Sequence, residues 1–209
     1  MRLDNTIIYL IGIPAVGKYT VAKEIRRMTG AKVVDNQLIN TPVFSVLGYD
    51  GTDAFPFPHG AWAQIGKIHR AVAVLAVIRD FCPPDASFVF TNTLDAREPL
   101  DKVWFGRIER LARRRAAKFF PVWLTCEAEV IRRRKDTPDR RARLKDVDLT
   151  NISRWSEEVE VLRVPHPNAL TVDTSYREPG QTAQLILEHV RGGDQVGRPN
   201  APVAAKGGA

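Results

Sequence analysis

GIPAVGKYT, residues 12–20, lies between the apolar, β-branched run TIIYLIG at 6–12 and a stretch with helical apolar spacing at 18–28. A run such as TIIYLIG is how a strand covered on both faces of a parallel sheet reads. Val21, Ala22 and Ile25 fall on one side of a helix with 3.6 residues per turn. KVVD at 32–35 is a second short strand. Strand, glycine turn, helix and strand form a βαβ unit with a right-handed crossover.

The alternation continues along the chain. Residues 61–82 read as a long helix that stops before Pro83-Pro84, and SFVFTNTL at 87–94 as a third strand. An amphipathic, basic helix follows at 98–117. KFFPVWLTC at 118–126 is a fourth strand, although Pro121 is awkward in a central strand. Helices at 127–134 and 151–162, a fifth strand ALTVD at 169–173 and a closing helix at 181–190 complete the series. The segment 36–60 carries NTP at 40–42 and GYDGTDAFPFPHG at 48–60, so it reads as a loop or a broken helix. Five short strands alternating with helices predict an α/β fold, a three-layer α/β/α sandwich on a mostly parallel sheet.

Composition bounds the rest. The 209 residues suit one domain, at 1–191, and 44% hydrophobic residues are enough for one sizeable core. Residues 192–209, rich in Gly, Pro and Ala, read as a disordered tail. The net charge of +7 attracts anions without choosing among nucleotides, phosphorylated metabolites, nucleic acid and membrane surfaces. Cys82 and Cys126 form no C-x-x-C pair, which removes zinc and dithiol readings and fits a reducing cytoplasm. The apolar run at 7–13 is too short to span a bilayer, and Asp4 spoils a signal-peptide n-region. The run at 71–78 is flanked closely by Lys67, His69, Arg70 and Arg79 and reads as a core helix, so no membrane partner is expected.

The glycine turn has the pattern G-x-x-x-x-G-K, a P-loop placed between strand and helix as that motif requires. The loop of Gly12, Pro14, Ala15, Val16 and Gly17, running on into Lys18, Tyr19 and Thr20, would bind the nucleotide, its successive backbone N–H groups cradling phosphate oxygens. The helix N-terminus adds partial positive charge, and Lys18 a full one for the β- and γ-phosphates. The residue after the lysine is usually Ser or Thr, whose hydroxyl binds Mg²⁺. Here it is Tyr19, whose hydroxyl lies too far out, and Thr20 offers a hydroxyl one residue later. Thr20 is the candidate metal contact, directly or through water. ATP and Mg²⁺ are the expected cofactors.

With GIPAVGKYTVAKEI, VVDNQLINTPVFSVLG, DTPDRRARLKD and ALTVDTS in view, the chain resembles the P-loop nucleoside- and nucleotide-kinase superfamily. Shikimate kinase, chloramphenicol phosphotransferase and uncharacterised bacterial "AAA family ATPase" proteins look nearest in layout. The paired aspartates of shikimate kinase after the second strand are replaced by Asp35-Asn36-Gln37. The resemblance implies an acceptor-binding region at 36–60 and an arginine lid at 132–148. Lid arginines, Arg134 and Arg140 being the candidates, would stabilise charge on the transferring phosphoryl group. Phe57 and Trp62, with Phe55 and His59 nearby, lie where related kinases bind the acceptor, and Asp173-Thr174 where a turn passes near adenine.

Asp35 ends the second strand, at the sheet edge where ligands bind, and could accept the proton of a substrate hydroxyl. Asn36 is a substrate candidate beside it. Thr91, Asn92 and Asp95 follow the third strand without the strand-end acid of motor ATPases. Asp95 reads as a cap for the helix beginning near Glu98. Arg97 is a substrate candidate or a surface arginine. His69 and His166 have no metal spacing.

The expected activity is ATP-dependent transfer of the γ-phosphoryl group to a hydroxyl of a small metabolite, nucleoside or nucleotide, by a monomer or homodimer. Two other readings stand beside it. A polynucleotide 5′-hydroxyl kinase draws on the charge and the triple arginines at 113–115 and 132–134, though no nucleic-acid module accompanies them. A nucleotide-binding regulator draws on Tyr19 and the missing paired aspartates.

Overall fold

The computed structural model describes residues 2–48, 67–134, 138 and 159–196. Strands β1 (Thr6–Ile11), β2 (Lys32–Asp35), β3 (Phe88–Asn92), β4 (Lys118–Thr125) and β5 (Leu170–Asp173) form one five-stranded sheet in the order β2-β3-β1-β4-β5. Every pairing is parallel. The helices are α1 (Lys18–Thr29), α2 (Gln37–Leu47), α3 (Lys67–Phe81), α4 (Pro99–Arg114), α5 (Ala128–Arg134) and α6 (Pro179–Val196).

Alternation along the strands sorts the core into two layers. Ile8 and Leu10 of β1 pack with Val21, Ala22 and Ile25 of α1 and with Ala183, Ile186 and Val190 of α6. Ile7, Tyr9 and Ile11 face the other way, onto Ile78 of α3 and Phe105, Ile108 and Leu111 of α4. All six β1 residues are buried, as a strand covered on both sides requires. The three-layer α/β/α sandwich expected from the sequence is therefore what the chain forms.

Local chemistry explains the helix ends. Pro99 starts α4, where its missing N–H has no partner to lose; Asp101 lies in the first turn and Arg113 and Arg114 in the last. Arg115, just beyond, closes the end of α3. Its Nη1 donates to the Ile78 and Cys82 carbonyls at 2.6 and 3.3 Å, and its Nη2 to Pro83 and Pro84 at 2.5 and 3.3 Å. The Ile78 and Cys82 carbonyls are ones a helix terminus leaves without helical partners; those of Pro83 and Pro84 belong to the turn beyond it.

Three stretches differ from the sequence reading. Residues 37–47 form a helix with Pro42 inside it, where Asn, Thr and Pro had pointed to a loop or broken helix. The Asp35 carboxylate accepts the Gln37 N–H at 2.8 Å and so starts that helix from the strand end. Residues 159–162, read as the end of a helix, are not helical, and Val161 bridges antiparallel to Asp95. The closing helix runs to Val196, into the glycine-rich stretch read as tail. Pro121 does sit inside β4, but the ladder to β5 begins only at Val122. One flank of β4 is therefore open at Pro121, a setting that tolerates a missing N–H. Phe55, Phe57, His59, Trp62, Arg140, nearly all of the 135–158 segment and residues 197–209 lie outside the described residues. No helix among the described residues is long and apolar enough to cross a membrane.

Candidate functional site

The glycine loop leaves the carboxyl end of β1, in the middle of the sheet. The Gly12 N–H donates to the Asn92 carbonyl at 3.3 Å, one residue beyond the paired strands. A Cβ on Gly12 would lie 2.5 Å from the Leu124 carbonyl oxygen and 3.0 Å from Val16 Cγ2, so only glycine fits there. Val16 is fully buried and pins the loop to the core. Ala15 has φ of 65°, a left-handed conformation that costs a residue with a Cβ about 1 kcal/mol.

Gly17 is the N-cap of α1 in the left-handed region, φ 94° and ψ 8°, and no side chain caps the helix. The first turn contains no acidic residue. Uncapped N–H groups and the helix dipole thus leave a site that favours an anion. Lys18 folds back over the loop. Its Nζ donates to the Gly12 and Ile13 carbonyls at 2.6 and 2.8 Å and to Thr93 Oγ1 at 3.3 Å. Tyr19 is half-buried and lies under Lys23 Nζ, 4.9 Å from the ring centroid. Thr20 is exposed on the first turn.

Asp35 is 2% exposed at the end of β2. Besides the Gln37 N–H, its carboxylate accepts the Thr91 hydroxyl at 3.2 Å, across the β2–β3 pair. Asn36 is half-buried at the N-cap of α2 and makes no side-chain capping bond. Because β3 lies between β2 and β1, Asp35 is one strand removed from the glycine loop.

Asp95 does not cap α4; Glu98 holds that position. Asp95 instead takes Arg97 in a two-pronged ion pair, Nε to Oδ1 at 3.1 Å and Nη2 to Oδ2 at 2.7 Å. The guanidinium beside it holds the Asp95 carboxyl below the ordinary range. Asp173 forms a local turn, its Oδ1 accepting both the N–H and the hydroxyl of Ser175 at 2.9 and 2.6 Å. Those bonds hold its carboxyl low as well.

Thr174 and Arg134 meet beneath the loop. Thr174 Oγ1 donates towards the Val16 carbonyl at 2.9 Å and the Thr125 carbonyl at 3.0 Å. Arg134 Nη2 donates to the Thr174 and Ser175 carbonyls at 2.8 and 3.1 Å. Its Nη1 reaches Thr174 Oγ1 at 3.4 Å and Cys126 Sγ at 3.6 Å.

Sequence reasoning missed three participants and named a fourth, Asn92, without a role. Thr93 touches Lys18, and Tyr9 and Trp104 converge on Asn92. The Tyr9 hydroxyl and the Trp104 indole N–H donate to Asn92 Oδ1 at 3.1 and 3.3 Å. An indole nitrogen only donates, which fixes the carboxamide with its oxygen inward. Burial pushes the Tyr9 hydroxyl up, keeping it a donor. The one legible signal was TNT at a strand end. Among the described residues no cluster of three or more His, Cys, Asp or Glu is placed to hold a metal.

No protein-family model matches the chain, and no curated protein matches it. Solved structures with the same fold do. A sugar kinase from Janibacter sp. HTCC2649 is 14% identical, with a TM-score of 0.57 over 93% of this chain and 99% of its own. A gluconokinase from Sinorhizobium meliloti 1021 is 14% identical, with a TM-score of 0.55 over 93% and 97%. The APS kinase of Mycobacterium tuberculosis, solved with AMPPNP and APS, is 13% identical, with a TM-score of 0.56 over 90% and 99%. At this identity the likeness is one of fold: the chain shares the architecture of these solved kinases.

Proposed function

We propose that the protein is an ATP-dependent phosphotransferase that moves the γ-phosphoryl group to a hydroxyl of a small metabolite, nucleoside or nucleotide. The observation that carries this reading is the glycine loop: an uncapped helix N-terminus with Lys18 held over a turn that a Cβ at Gly12 would fill. The solved kinases of the same fold, which act on sugars, gluconate and APS by their names, support it.

The roles follow from position. Backbone N–H groups from Ala15 to Thr20 bind the phosphates, the Gly12 N–H being taken by the Asn92 carbonyl, and Lys18 exchanges its loop carbonyls for phosphate oxygens. Asp35 takes the proton of the acceptor hydroxyl, from its place at the carboxyl end of β2. Asn36 and Arg97 flank the acceptor. Mg²⁺, when bound with ATP, neutralises charge on the phosphates. Thr20, exposed on the first turn of α1, would contact the ion directly or through water. Catalysis would then rest on positioning and electrostatics.

The test is a metabolite-library screen read by ADP release and product mass, run on the wild type and on Lys18→Ala. The variant should fold normally and lose product formation by about 100-fold or more, the scale of a lost transition-state charge contact. Normal turnover by Lys18→Ala would overturn the assignment.

A further inference from the structure

We propose that Thr174 and Arg134 are positioning residues that hold the glycine loop in its anion-binding shape from beneath, through the Val16 carbonyl. This rests on the nucleotide reading of the loop.

The peptide joining Val16 to Gly17 is planar and trans, so its C=O and N–H point in opposite directions. A donor that holds the Val16 oxygen on the β5 side therefore holds the Gly17 N–H facing the other way. Thr174 Oγ1 is that donor, 2.9 Å away and 3% exposed. The Thr125 carbonyl, also near the hydroxyl, already accepts the Thr174 backbone N–H at 2.9 Å. Val16 is thus the partner for which the hydroxyl matters.

Arg134 sets the direction of that hydroxyl. A guanidinium only donates, so its Nη1 contact to Thr174 Oγ1 takes a lone pair and leaves the hydroxyl proton for the carbonyls. Two contacts from Nη1 and two from Nη2 occupy four of the five guanidinium N–H groups. Arg134 cannot present a two-pronged face to a phosphate without releasing the 174–175 turn. The arginine that the sequence marked for the phosphates is instead bound to the turn that supports them.

The experiment is calorimetric titration of ADP into the full chain, with thermal melting alongside. Thr174→Val should weaken ADP about tenfold, and Thr174→Ser, which restores the hydroxyl, should bind within about twofold of wild type. Arg134→Ala should weaken ADP about threefold or more, with Arg134→Lys in between. If Thr174→Val is insoluble, the Arg134 pair and Thr174→Ser decide. Unchanged ADP affinity in Thr174→Val or Arg134→Ala overturns the proposal. So does a loss in Thr174→Ser equal to that in Thr174→Val, which would assign the effect to packing. A wild-type chain that binds no ADP would instead remove the nucleotide reading, and this proposal with it.

Discussion

A methyl group on Gly12 would sit 2.5 Å from the Leu124 carbonyl oxygen, a backbone atom that cannot step aside. Gly12→Ala should therefore destabilise the chain by about 2 kcal/mol through overpacking, read as a lower melting temperature, and should also weaken nucleotide binding. Gly17 is different: its φ of 94° demands glycine although open space surrounds it. The motif pattern in the sequence marked both glycines but could not separate their reasons. Asn92 illustrates the opposite limit. Its carboxamide is fixed by Tyr9, far earlier in the chain, and by Trp104 on a helix, and no local pattern announces such a convergence.

Arg115, just past the end of α4, ties that end to the C-terminus of α3. Arg115 donates to four carbonyls around the C-terminus of α3 and lies 5.3 Å from the Phe88 ring centroid. Arg115→Ala should cost about 2 kcal/mol, since hydrogen bonds from charged donors are worth ~1.5–3 kcal/mol and the Ile78 and Cys82 carbonyls left behind are partly buried. Chemical denaturation would show it as a lower midpoint with an unchanged slope. At this scale the sequence was legible for elements with a clear period. It failed at α2, where Asn, Thr and Pro42 imitate a turn but the Asp35 carboxylate and the burial of Phe44 hold a helix. It failed again at 159–162, where a pairing with Asp95 overrides helical spacing.

The 159–164 segment is fastened to the rest of the molecule through long-range contacts. Leu162 N–H donates to the Leu94 carbonyl, Ala96 N–H to the Glu160 carbonyl, and Trp123 Nε1 to the Leu162 carbonyl at 2.7 Å. Asp95 lies at this junction, its carboxyl held low by Arg97. A carboxyl depressed in the folded state binds fewer protons there than when unfolded, so it adds stability above the ordinary value near 4 and loses it as pH falls through the folded value. Asp95→Asn should therefore melt below wild type at pH 7, and the gap should close as the pH is lowered past the carboxylate range. Melting temperatures across pH 3–7 check this; a gap constant with pH would show that the charge is not what matters.

The βαβ start, the parallel sheet and the glycine loop were readable from residue order, because burial period, turn chemistry and motif spacing are properties of neighbours along the chain. So was the place of Lys18 in the loop, which follows from its spacing to Gly12 and Gly17. What Thr93, Asn92, Thr174 and Arg134 do was decided by the fold. Strand order sets β3 beside β1, and β4 brings β5 alongside, so that residues distant in sequence meet under one loop. A hydrogen bond between Thr174 and Val16 depends on that meeting, and no pattern of neighbours in the chain encodes it.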